Sequence, residues 1–191
     1  MYWNSKSGTC YSGDTSNTVK SSCDFKTNEI GLSEKAKEKI VSVVWYLRGN
    51  DTSSVYSNVM YNYERTTGSV FNTTRATEWR GKIGLMYPSD YGYATDLNSS
   101  VCSTTLDSYN NSTNSYGCRA NDWLYDNVNV NRWTLSPHSS SSVYVFYVSS
   151  SGILSKHFAS STFGVMPVFY LDSELTIESG DGSSGNPYRL S

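Results

Sequence analysis

Trp133-Thr-Leu-Ser-Pro137, Val143-Tyr-Val-Phe-Tyr-Val148, Ser150-Ser-Gly152 and Gly164-Val-Met-Pro-Val-Phe-Tyr-Leu171 follow one another in a single span of the chain. Each apolar run is short, rich in aromatic and β-branched residues, and closed by Ser, Gly or Pro, which predicts strands rather than helices. We place them at 132–135, 143–149, 152–157 and 164–171. Between the last two runs lies a segment made mostly of Ser, Thr, Phe, His and Lys, a vocabulary that suits surface contact better than catalysis. Strand alternation puts Tyr144 and Tyr147 on opposite faces, so at most one of them should be exposed.

Working outward, a further strand is expected at 174–178. Gly180-Asp-Gly-Ser-Ser-Gly-Asn-Pro-Tyr188 then reads as a turn that returns Tyr188-Arg-Leu190 as a last strand. Upstream, Ile83, Leu85 and Met86 read as a buried strand stopped by Pro88-Ser-Asp-Tyr-Gly92. The Asn/Ser/Thr/Tyr-rich stretch 96–131 is too long for an ordinary connection. Ser33 sits where an N-cap belongs. Glu34 and Glu38 favour first turns, and Ile40, Val43, Val44 and Leu47 recur at helical spacing before Gly49, predicting a helix there. A second helix is expected over 53–65, with Val55, Val59, Met60 and Tyr63 on one side. Residues 1–31 form a polar arm punctuated by Gly8, Gly13 and Gly31. Trp45, Trp79, Ile83, Leu85, Leu135, Val165, Val168 and Leu171 are the expected core.

The chain has 191 residues, enough for one domain that buries roughly two thirds of its unfolded surface. Charged residues are 17% and the formal net charge is −2, so no polybasic face advertises nucleic acid or anionic lipid. Aromatics reach 14%, with 16 Tyr against 6 Phe and 5 Trp. Tyr and Ser bind at low entropic cost, as in antibody paratopes, and Tyr also suits strand faces of a β-rich protein. No stretch has the 18 or so apolar residues of a membrane span.

Four cysteines fall into two local pairs, Cys10 with Cys23 and Cys102 with Cys118. Neither has C-x-x-C spacing, and His138 and His157 lie far along the chain, which argues against structural zinc. Two short-loop disulfides follow, each stabilising by about 3 kcal/mol in the chain-entropy model. They imply an oxidising, extracellular compartment. The alternative is four thiols in a reducing one. Met1-Tyr2-Trp3 does not begin a signal peptide, so an extracellular reading places the export signal or anchor upstream of residue 1.

Catalytic patterns are weak. No G-x-S-x-G elbow presents a nucleophile, and His138 and His157 read as surface or half-buried histidines. Asp122 and Asp126 flank Trp123 and Tyr125, which could shape a sugar site without forming an acid–base pair. Asn121, Asp122, Asp126, Asn127, Asn129 and Asn131 gather oxygen donors within eleven residues, a calcium option beside the metal-free expectation. Sequons begin at Asn50, Asn72, Asn98 and Asn111 and arise readily by chance in such a composition.

Trp133-Thr-Leu-Ser-Pro137, Gly152 and Gly164-Val-Met-Pro-Val168 resemble the closing segment of C-type-lectin-like domains of the formylglycine-generating-enzyme and diversified-receptor type. Met166 stands where that pattern has Arg, and no cysteine follows Cys118, so the cysteine chemistry of those enzymes cannot operate. Gly31-Leu-Ser-Glu34, Val44-Trp-Tyr-Leu47, Tyr63-Glu-Arg65, Trp79-Arg-Gly-Lys-Ile-Gly-Leu-Met-Tyr-Pro-Ser-Asp-Tyr-Gly-Tyr-Ala94 and the Gly180–Leu190 tail resemble ectodomains of pilin-like surface proteins of gut Firmicutes. Those carry a prepilin-type hydrophobic helix upstream.

The resemblances imply an α+β, C-type-lectin-like fold: one or two helices on a twisted, mostly antiparallel sheet, with long disulfide-stapled loops. Residues 1–31 would be the arm of one extracellular domain and 32–191 its body. The expected function is non-enzymatic ligand binding or adhesion at the cell surface, toward a glycan or protein on a host or neighbouring cell. A structural pilus or fibre subunit that reads no ligand is the alternative. Contact residues are expected at Trp123, Tyr125, Tyr144, Tyr147, Lys156, His157 and Phe158.

Overall fold

The computed structural model describes residues 8–11, 19–23, 34–71, 75–95, 104–109, 118–119, 122–125, 130–183 and 185–191. They form a mixed α+β arrangement of short helices and small antiparallel sheets. In the arm, β1 (Gly8–Tyr11) pairs with β2 (Val19–Cys23), setting Cys10 opposite Ser21 and Cys23 opposite Gly8. Cys118 is buried and Cys102 lies outside the described residues. Both predicted disulfides involve side chains that lie outside the described residues.

The expected helix before Gly49 is corrected by the structure. Only α1 (Glu34–Lys39) is helical, and Val43–Tyr46 is a strand, β3. Val-Val-Trp-Tyr combines β-branched and aromatic side chains, which favour a pleated surface once a partner strand is present. That partner is β4 (Glu78–Gly81), with Trp45 opposite Trp79. The Trp45 indole N–H donates to the Gly81 carbonyl at 3.0 Å. Gly49 ends no helix; it bridges Ser69, and a Cβ there would collide with the Pro137 carbonyl.

The second expected helix is present but shorter. It comprises α2 (Ser57–Asn62), continuing into a π-turn at Tyr63–Thr67 that Gly68 N–H closes onto the Tyr63 carbonyl at 2.8 Å. The wider turn shifts the helix face by one residue and sends Glu64 inward. β5 (Ile83–Leu85) is the expected buried strand and ends before Pro88, which also opens a helix. Proline's fixed φ suits the first helical position, and α3 (Pro88–Tyr93) is capped by Asp90 Oδ2, which accepts the Tyr87 amide at 3.0 Å. Gly92 lets α3 approach α2, because a Cβ would strike the Ser57 hydroxyl.

The runs from Trp133 to Phe158 fold as strands, as their aromatic and β-branched content and their turn residues predict. β6 (Arg132–Pro137), β7 (Tyr144–Val148) and β8 (Leu154–Phe158) form a three-stranded antiparallel sheet in that order. The Leu135 amide donates to the Met86 carbonyl at 2.9 Å, tying β6 to the end of β5. β5 also pairs with β9 (Pro167–Phe169), Gly84 opposite Val168. A Cβ on Gly84 would come within 2.7 Å of the Trp45 ring, so glycine is what lets that indole lie on the strand. Finally β10 (Ile177–Ser179) pairs with β11 (Arg189–Leu190).

The core lies between this sheet and α2–α3. It holds Met60, Met86, Tyr91, Leu106, Tyr109, Cys118, Phe146, Val148 and Leu154. Burial of a side chain such as Phe146 or Leu154 contributes about 1.5–3 kcal/mol. Trp45, Ile83 and Leu85 are buried as expected. Trp79, Leu135 and Val168 are half-buried, while Val165 and Leu171 are exposed. The last two lie on either side of β9.

Candidate functional site

The structure distributes the seven expected contact residues over three places. Trp123 and Tyr125 sit on a turn whose backbone is organised by Asp122. Its Oδ1 accepts the Leu124 amide at 2.8 Å and the Tyr125 amide at 3.1 Å, and the Trp123 amide donates to the Ala94 carbonyl at 3.2 Å. Burial raises the Asp122 carboxyl to about 7, against the Leu124 and Tyr125 amides and the Tyr109 hydroxyl, which pull it down. The Tyr125 hydroxyl donates to the Ser150 carbonyl at 3.0 Å, and the Arg119 guanidinium lies 5.4 Å from its ring centre. Trp123 is left 77% exposed. Of the calcium option, Asp122 Oδ1 is committed to the turn and Asn131 Oδ1 to the Ser150 amide at 2.9 Å. Asn121, Asp126, Asn127 and Asn129 lie outside the described residues.

Tyr144, Lys156 and Phe158 share the core-side face of β7–β8, at the end away from Ser150. Tyr144 and Phe158 rings are 4.9 Å apart, and Lys156 Nζ stands 6.0 Å from the Tyr144 ring. Nζ also lies 3.0 Å from His138 Nε2. His138 is buried rather than exposed, packed 5.8 Å from Phe146. Burial, then the Lys156 charge, hold its pKa low, opposed by Asp51.

Tyr147 and His157 occupy the opposite face, as alternation requires. Phe163 covers them, 4.8 Å from Tyr147, 5.2 Å from His157 and 4.5 Å from buried Trp133. His157 Nδ1 is 2.8 Å from Ser161 Oγ. Both residues are half-buried, as is Tyr144, so neither tyrosine is the fully exposed one. The strand rise sets the Tyr144 end roughly 15 Å from the Ser150 end. Trp123 with Tyr125 and Tyr144 with Phe158 are therefore separate surfaces.

A fourth cluster was not foreseen in the sequence. Glu64, fully buried on the π-turn, accepts the Ser89 amide at 3.0 Å through Oε1 and the Ser89 hydroxyl through Oε2. Desolvation raises its pKa to about 8, outweighing the two Ser89 hydrogen bonds and the Arg65 charge. Arg65 lies flat on Tyr87, its guanidinium 3.4 Å from the ring centre and 5.1 Å from that of Tyr61. A Glu-Arg pair at the end of a helical pattern reads as a solvated surface; only the π-turn and the packing of α3 reverse it for Glu64.

Among the sequons, Asn50 is 5% exposed, so the folded chain cannot present it to a glycosyl transferase; Asn72, Asn98 and Asn111 lie outside the described residues. Comparison with protein-family models, with curated proteins and with solved structures finds no match.

Proposed function

We propose that this chain is a non-enzymatic, extracellular ligand-binding or adhesion domain of a pilin-like surface protein, with a C-type-lectin-like body and two disulfide staples. Its ligand is a glycan or protein on a host or neighbouring cell. The observation that carries this reading is Trp123. An indole 77% exposed on a hydrogen-bonded turn is an anchor available to a partner, because burying its apolar area gains about 25 cal/mol per Å² and tryptophan leads the residue types that dominate binding energy. Tyr125 beside it is held by Ser150 and adds a fixed ring. Glycan and protein arrays probed with wild type and Trp123→Ala test it. Wild type should give reproducible hits that the variant weakens about tenfold or more. A wild-type chain silent on both arrays, or hits indifferent to Trp123, would sink the reading.

One feature favours the alternative of a structural fibre subunit. The β10–β11 hairpin is exposed along its length, with Ile177 59%, Tyr188 55% and Leu190 41% open to solvent. A two-stranded hairpin is marginal in water by itself, and its outer edges offer unpaired backbone groups to another chain. Concentration-dependent self-association that requires this hairpin would favour the fibre reading.

A further inference from the structure

Five side chains from three separate segments of the chain meet over the buried Glu64. Tyr61 comes from α2, Arg65 from the π-turn, Asp90 and Tyr93 from α3, and Tyr170 from the residue after β9. We propose that the Tyr61–Tyr93–Tyr170 rim around Arg65 and Asp90 binds a neutral saccharide, reading a vicinal diol. The site does not depend on Trp123; an inert Trp123 surface would leave it standing.

Three properties carry the proposal. The first is an ion pair without a hydrogen bond, Arg65 and Asp90, whose side chains are 15% and 35% exposed. Arg65 Nη2 and Asp90 Oδ1 are 3.7 Å apart, beyond a hydrogen bond. Arg65 Nη1 stands 3.6 Å from Glu64 Oε2, again too far. Adjacent hydroxyls of a pyranose can satisfy both groups together, one donating to Oδ1 and the other accepting from Nη2. Hydrogen bonds to charged groups are the strong ones.

The second is rigidity. Arg65 is clamped on Tyr87, which is buried and whose hydroxyl accepts the Tyr46 amide at 2.7 Å. Asp90 is held through Oδ2 by the Tyr87 amide. Trp45 backs the site, 6.2 Å from Tyr87 and 5.4 Å from Tyr170. Preorganised groups lose little entropy on binding.

The third is the rim. Tyr61, Tyr93 and Tyr170 are 47%, 41% and 45% exposed, and Tyr61 and Tyr93 meet edge-on at 6.3 Å. Tyr170 is near enough for Asp90, Arg65 and Tyr61 to influence its titration. Tyrosine supplies an apolar face for the C–H side of a sugar ring and a hydroxyl at its tip. Charge then selects the ligand class. Burial pushes the Asp90 carboxyl up against the pull of the Tyr87 amide and Arg65. Asp90 already neighbours the one guanidinium an anion would need, and burial of Glu64 keeps its carboxyl uncharged near neutrality. A neutral ligand fits this balance; an anion does not.

Amide-resolved NMR titration with methyl α-mannopyranoside, methyl β-galactopyranoside and methyl β-glucopyranoside tests the site. At least one should bind in the millimolar range and shift the amides of Tyr61, Arg65, Asp90, Tyr93 and Tyr170. Its 3-deoxy analogue, which has no vicinal diol, should bind about tenfold more weakly. Tyr61→Ala and Arg65→Lys, each confirmed folded by an unchanged thermal midpoint, should weaken binding about five- to tenfold. Arg65→Lys keeps the charge and removes the stacked fork, so a loss there separates recognition from net electrostatics. The proposal is overturned by silence of all three pyranosides up to about 50 mM, by shifts centred elsewhere, or by equal affinity for the 3-deoxy analogue. Tighter binding of inorganic phosphate or sialyllactose at the same amides, or concentration-dependent pairing of two copies through this rim in their place, also overturns it.

Discussion

Glu64 shows how a single side chain sets a condition on the whole fold. It is fully buried, its carboxyl caps the start of α3 through Ser89, and its folded pKa of about 8 lies above the ordinary value of 4.5. Between those values the folded chain binds more protons than the unfolded one. The neutral carboxyl's contribution is thus fully present below pH 4.5 and is lost as pH rises through 8. The slope is at most about 1.4 kcal/mol per pH unit. Glu64→Gln, which keeps the shape without the charge, should flatten the decline. Its thermal midpoint should exceed that of wild type at pH 9 and approach it at pH 5, in melts followed by circular dichroism across that range. Parallel pH profiles for the two proteins would show that Glu64 is ionised in the folded chain. Nothing in Tyr63-Glu-Arg65 as a string of letters signals this burial, whereas the exposure of Trp123 followed from a polar, Asn-rich setting.

At the scale of elements, the hairpin β7–β8 and the segment between Ser33 and Gly49 make the contrast. Val143 to Val148 is a short run of β-branched and aromatic residues, and the Ser/Gly turn is followed by a second short run from Ile153 to Phe158. The local pattern and the sheet therefore agree, down to Tyr144 and Tyr147 on opposite faces. Ile40, Val43, Val44 and Leu47 satisfy helical spacing equally well, and there the pairing of Trp45 with Trp79 decides for a strand. The C-terminal turn was legible too, since Gly180 and Gly182 adopt φ of 97° and 82°, a region that disfavours other residues. Its hairpin is exposed from Asp172 onward apart from Leu175 and Gly180, with Ser184 undescribed. Deleting 172–191 should therefore leave the thermal midpoint within a few degrees, since exposed substitutions change stability by about 0.5 kcal/mol or less. Sedimentation of wild type and truncated chain separates the two functional readings. Self-association lost on truncation supports the fibre subunit, and a monomer in both cases supports the binding domain.

For the whole molecule, the proposed staples, once formed, would imply an oxidising compartment. Peptide mapping of the oxidised protein without reductant should recover Cys10 linked to Cys23 and Cys102 linked to Cys118. Reduction should then lower stability by about 2–5 kcal/mol per bond. Free thiols in protein purified under oxidising conditions would remove both the staples and the argument for export. By itself the sequence determined the α+β class, the three-strand cassette, the hairpin tail, the lack of a polybasic face and the burial of Trp45, Ile83 and Leu85. These depend on local periodicity, turn residues and composition, which neighbours in the chain carry. Tertiary structure alone decided that Val43–Tyr46 is a strand, that Glu64 and His138 are buried, and that Val165 and Leu171 are exposed. It also divided the seven expected contact residues among separate surfaces and brought Tyr61, Arg65, Asp90, Tyr93 and Tyr170 together. Those outcomes turn on which distant segments pack against each other, and no window of sequence contains that information.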